Sequence, residues 1–244
     1  NIIDGSEVRN CHAGIGGVFV LPQAGCKLYI ANSFITGCRN QRYDAASGND
    51  AEVTATTGGG AAIQMIGGEA VIESSLITDS LVELSSGGCI FMMTDAAVLT
   101  LRNTVIDGSR AAIHGGAIHI AGGTLIVTDG SAITNSQSDG EVDQGTGVLS
   151  RFKEGGAIYM DAGDVTISNG SRIVNSTASK FGGAVRILSG TFRLVDGLIS
   201  SSHAGQAACF NIVNGVVEII RSRVESSFGT TATFQMSGGE RPWE

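Results

Sequence analysis

Short alternations of apolar and polar residues recur along this chain, and no long segment carries a helical stripe. The clearest are Gly115-Gly116-Ala117-Ile118-His119-Ile120, Gly155-Gly156-Ala157-Ile158-Tyr159-Met160 and Gly182-Gly183-Ala184-Val185-Arg186-Ile187, three copies of one motif. Weaker copies begin at Gly16, Gly60, Gly87, Ala207 and Thr231. Start-to-start spacings are 44, 27, 28, 40, 27, 25 and 24 residues, so the basic period lies near 26. Two further short alternations follow each motif: Leu125-Ile126-Val127 and Ala132-Ile133-Thr134 after Gly115, Val165-Thr166-Ile167 and Arg172-Ile173-Val174 after Gly155. Three short strands at this period predict one coil of a parallel β-helix, whereas helical solenoids need about 30 residues or more per repeat.

Aligned coil on coil, the strands form apolar columns. The first strand contributes Phe19, Ile63, Ile90, Ile118, Ile158, Val185, Phe210 and Phe234, and two residues on Leu21, Met65, Met92, Ile120, Met160, Ile187, Ile212 and Met236. The second contributes Ile30, Ile72, Leu101, Val127, Ile167, Leu194 and Ile219. The third contributes Val8, Ile35, Ile77, Ile106, Ile133, Ile173, Ile199 and Val224. Stacking at about 4.8 Å per coil buries such columns as one continuous core. Between the second and third strands runs a turn column of Asp4, Asn32, Ser74, Asn103, Asp129, Asn169, Asp196 and Arg221, most of them residues that tolerate left-handed backbone. The expected fold is all-β, a right-handed parallel β-helix of about eight coils with three short strands per coil, running over 1–244 as a single domain. Right-handedness follows from the chirality of parallel crossovers. Two coils are overlong, and residues 39–57 and 137–154 are loop inserts at one corner, between a third strand and the next first strand. Uncapped coil ends expose core and edge strands, so the chain is expected to be a segment of a longer protein or assembly, with Trp243 a candidate plug for the last coil.

Composition adds exclusions. Glycine is 36 of 244 without a collagen period, and proline is 2. No apolar run approaches a membrane-spanning length. That argues against direct membrane insertion, and the net charge of −8 argues against nucleic acid and anionic membrane surfaces as partners.

Candidate chemistry gathers near the inserts. Phe91, His119, Tyr159 and Arg186 share one outward column on consecutive coils, where rings about 4.8 Å apart suit a sugar or a partner's side chains. Alternatively the second insert folds over them as a satellite core. A second column, Val18, Ala62, Cys89, Ala117, Ala157, Ala184, Cys209 and Thr233, reads as small, apolar and outward-facing. Asp139, Glu141 and Asp143 alternate like the start of a calcium loop, but Gln144 and Ser150 stand where such a loop needs Gly and Glu. Cys11 and Cys38 occupy equivalent positions on adjacent coils, within reach of a disulfide, while Cys89 and Cys209 lie too far apart to bridge. His12, His114 and His203 precede first strands and read as corner residues.

The Gly-Gly-Ala-[Ile/Val] motif, followed by Ile133-Thr134-Asn135-Ser136 or Ile173-Val174-Asn175-Ser176, resembles the repeats of the chlamydial polymorphic outer-membrane proteins. Related right-handed β-helix repeats occur on protist and microalgal surfaces. The Phe that heads the second half-motif survives only at Phe34, so the likeness is to the repeat architecture. It implies an extracellular or cell-surface location and a structural or adhesion role. The expected function is therefore a non-enzymatic segment that binds a partner or glycan along one edge, with other chains or neighbouring domains at its ends and no cofactor. The alternatives are a carbohydrate-active β-helix enzyme with acids drawn from Asp44, Asp139, Glu141 and Asp143, or a calcium- or ice-binding module. Calcium is the one cofactor in play, and the outward threonines Thr36, Thr78 and Thr134 are interrupted by Asp107 and Val174.

Overall fold

The structure, a computed structural model, describes residues 1–13, 16–40, 59–83, 85–138 and 153–237. All its regular elements are parallel strands, stacked as a right-handed β-helix of about seven turns. Three sheets run along the coil. The largest joins the first and second strands of every turn, for example Ile118–Ile120 and Thr124–Thr128. In the last two turns these fuse into single strands, Val185–Val195 and Phe210–Ile220. A second sheet stacks the eight third strands, from Glu7–Arg9 to Arg223–Glu225. The remaining sheet holds a fourth strand that the alternation does not reveal. It is only two residues long in most turns, as at Leu81–Val82 and Arg110–Ala111. Two of these short strands, Arg39–Asn40 and Gln137–Ser138, fall where the inserts were expected to begin.

The apolar columns are the core. Ile63, Ile90, Ile118 and Ile158 stack in register and are wholly buried, as are Ile77, Ile106, Ile133 and Ile173 of the third strand. The small column of Ala62, Cys89, Ala117, Ala157, Ala184 and Cys209 was expected outside and instead belongs to the core. It sits at the corner between the fourth strand and the next first strand, where the backbone turns. Burial pushes the Cys89 thiol up to about 12.

The turns behave as their residues dictate. The column from Asp4 to Arg221 is left-handed throughout, with φ between 45° and 57°. Its side chains bond from rung to rung: Asn32 to Asp4, Asn103 to Ser74, Asn169 to Asp129 and Arg221 to Asp196. Just inside lies a hydroxyl ladder, in which the amides of Ser33, Ser75 and Thr104 donate to Ser75, Thr104 and Ser131 of the next rung. Buried backbone donors at each corner are thereby satisfied and the register is fixed. Cys11 and Cys38 stand on adjacent rungs with free thiols, and Cys11 donates to the Arg9 carbonyl.

Candidate functional site

The corner where the fourth strand meets the next first strand carries the most varied chemistry. First strands at Ile90–Met92, Ile118–Ile120, Ile158–Met160 and Val185 onward set Phe91, His119, Tyr159 and Arg186 side by side, as their register requires. They do point away from the core, yet they form no open ledge: Phe91, His119 and Tyr159 are each under a tenth exposed. Gly59 lies against the Phe91 ring, so closely that a Cβ there would stand 2.5 Å from Cδ1.

The residue just before each Gly-Gly pair completes the cluster. His114, Glu154 and Phe181 bridge to one another in parallel across three rungs. The His114 ring stacks on Tyr159 at 4.2 Å with the two planes nearly parallel, while His119 meets Tyr159 edge-on at 5.1 Å and stacks on Phe91 at 4.6 Å. Arg186 Nε donates to Glu154 Oε2 at 3.0 Å and its guanidinium lies over the Phe181 ring. His119 Nε2 is 2.8 Å from Asp161 Oδ2, and Asp161, which directly follows its strand, keeps 41% of its side chain in solvent.

Electrostatics follow from this packing. Burial disfavours charge on His114 and takes its pKa down to about 4, helped by the nearby His119. Burial raises the Tyr159 hydroxyl, and the Asp161 and Glu154 charges raise it further. Burial also raises the Glu154 carboxyl against the opposing pull of Arg186 and Lys180. Burial would raise Asp161 too, but the hydrogen bond and charge of His119 outweigh it and hold the carboxyl below its usual range. Asp161 is therefore ionised and accepts only, which makes His119 Nε2–H the donor. The buried Nδ1 atoms of both His114 and His119 have no hydrogen-bond partner.

Of the residues singled out in the sequence, Phe91, His119, Tyr159 and Arg186 come together. His114 joins them as more than a corner residue. Asp161 and Glu154 were not foreseen; the signal for Glu154 was its place in the column ahead of Gly-Gly, shared with His114. Asp44, Asp139, Glu141, Asp143 and Trp243 lie outside the described residues. Among the described residues no cluster of His, Cys, Asp or Glu has metal-holding geometry, and no helix is long and apolar enough to cross a membrane.

Fold and site together define a right-handed parallel β-helix with one chemically mixed corner. The chain matches no protein-family model, no curated protein and no solved structure.

Proposed function

We propose that this protein is a non-enzymatic structural or adhesion segment of the cell surface or extracellular space, binding a partner protein or glycan along the corner that carries the inserts. One observation supports this above others. The corner is where repetitive columns give way to His, Tyr, Asp, Glu and Arg on consecutive rungs, with the Asp161 carboxylate half-exposed above a bed of rings. Rigid scaffolds place recognition on such irregular edges. The Gly-Gly-Ala repeat's likeness to chlamydial polymorphic outer-membrane proteins supports the surface location. The sequons Asn169-Gly170-Ser171 and Asn175-Ser176-Thr177 begin on exposed turns, as glycosylation of a secreted eukaryotic chain would require.

The acids considered for an enzyme, Asp44, Asp139, Glu141 and Asp143, lie outside the described residues, and the described carboxyls of this corner do not supply a hydrolase pair in their place. Glycoside cleavage needs two carboxyls flanking one bond, one of them protonated and free to donate. Here Glu154 is buried and committed to Arg186, and Asp161 is ionised against His119. The test is an array of neutral, acidic and amino oligosaccharides probed with the chain and with Asp161→Ala. Saturable binding that Asp161→Ala weakens supports the proposal; release of shortened oligosaccharides overturns it in favour of an enzyme.

A further inference from the structure

The corner between the second and third strands carries a groove of about 630 Å³ that runs alongside the coil. One wall is the left-handed turn column at Asn32, Ser74 and Asn103. The other is the outward column of the third strand, where Glu7, Phe34 and Leu76 are register neighbours on successive rungs. Lateral side chains on consecutive rungs build both walls, so the groove belongs to the side of the coil and not to an end face. It lies at a different corner from the inserts and stands apart from the reading given to them.

The polar wall has bonding capacity to spare. Asn103 donates one amide N–H to Ser74 Oγ at 3.2 Å, and Asn32 donates one to Asp4 Oδ1 at 3.4 Å. Each carboxamide also carries a carbonyl oxygen and a second N–H, and Ser74 carries a hydroxyl proton. All three residues are exposed. The facing wall is apolar at its centre, with Phe34 half-buried and Leu76 37% exposed. Glu7 at its edge is ion-paired to Arg9, so the groove presents little net charge.

An apolar wall opposite a row of amides and hydroxyls suits a ligand with a hydrophobic face and a rim of hydroxyls. Spacing narrows the choice. Rungs recur at about 4.8 Å, close to the rise of one pyranose ring in an extended β-linked glycan. Side chains on one face of a bound peptide strand would recur at about 6.6 Å, out of step with the rungs. Four rungs span about 14 Å, room for about three sugar rings.

We propose that this groove binds an extended, neutral, β-linked oligosaccharide lying parallel to the coil axis, with its ring faces on Phe34 and Leu76 and its hydroxyls bonded to Asn32, Ser74 and Asn103.

Isothermal titration calorimetry of the 244-residue chain with cellotetraose, chitotetraose and maltotetraose tests this. At least one of the two β-linked probes should bind, and the α-linked maltotetraose, which curls away from the axis, should bind about tenfold more weakly or worse. For the β-linked series, affinity should rise from disaccharide to trisaccharide and change little beyond it. Leu76→Arg, which sets a long cation in the groove from an exposed position, should weaken binding about tenfold. Phe34→Leu keeps the strand apolar but removes the ring, and should weaken binding about threefold. Thermal melts that match the parent's show that both variants are folded. No binding of either β-linked probe overturns the proposal. So do equal affinity for maltotetraose and binding that neither groove variant weakens. Asp161→Ala separates the two corners: binding lost in it but kept in the groove variants belongs to the insert corner, and it overturns the groove.

Discussion

At the scale of single residues, left-handed backbone decides what the turns tolerate. Asn103, at φ 45°, donates to Ser74 of the preceding rung while its backbone takes a conformation that a β-branched residue resists. Asn103→Val should cost about 2 kcal/mol in a urea melt, and Asn103→Gly about half of that or less, since Gly gives up the side-chain bond but not the geometry. This column could be read from the sequence because Asn and Asp recur at a fixed offset from the apolar positions. The mixed corner was legible only in part. Alternation reveals which side of a strand Phe91, His119 and Tyr159 take, but says nothing of what lies over that side. They were expected as a ledge or a covered cluster, and burial shows them covered. Asp161 escaped notice because it stands just beyond its strand, outside the alternating positions.

At the scale of the element, the Gly-Gly motif has two separate causes. The first glycine takes positive φ: 68° at Gly87, 61° at Gly115, 65° at Gly155 and 62° at Gly182. The second is needed for close approach. A Cβ on Gly88, Gly116 or Gly156 would lie 2.0, 2.1 or 2.0 Å from the carbonyl oxygen of the next rung's second glycine. Backbone cannot yield there as a side chain end can, so Gly156→Ala should cost about 3 kcal/mol or more and broaden the unfolding transition. Gly170→Ala, with nothing within 4 Å of its Cβ, should cost only about 1 kcal/mol from its φ of 74°. Comparing the two melts separates steric contact from backbone preference. The motif's period made the strands visible, whereas the fourth strand stayed hidden because two residues carry no alternation. The same short element explains why the Ala and Cys column faces inward: it lies on a corner, where the rule that successive residues take opposite sides breaks down.

For the whole molecule, the corner makes stability depend on pH. His114 is neutral in the folded coil down to about 4, against an ordinary 6.5. A lowered histidine pKa contributes stability that is present above 6.5 and is lost as the pH falls toward 4. The loss amounts to roughly 3 kcal/mol across that window. Glu154, raised by burial, acts with the opposite sign and gives up its contribution as the pH climbs above its ordinary 4.5. Asp161, lowered, loses its contribution only on acidification below its ordinary 3.8. The difference between the parent and His114→Phe isolates the histidine, because Phe keeps the stack on Tyr159 without the proton. Urea midpoints of the parent should fall from pH 6.5 to 4 more steeply than those of the variant.

The corner is a packed cluster held by four consecutive rungs, and its histidines report on that packing. The chain has only 4 histidines, so their ring protons can be followed individually by NMR from pH 3 to 8. His114 should titrate near 4, with Tyr159 ring shifts moving in step. A His114 that titrates near its ordinary 6.5, with Tyr159 unaffected, would mean that the corner is open to solvent, and it would contradict the packing from which the binding edge is argued.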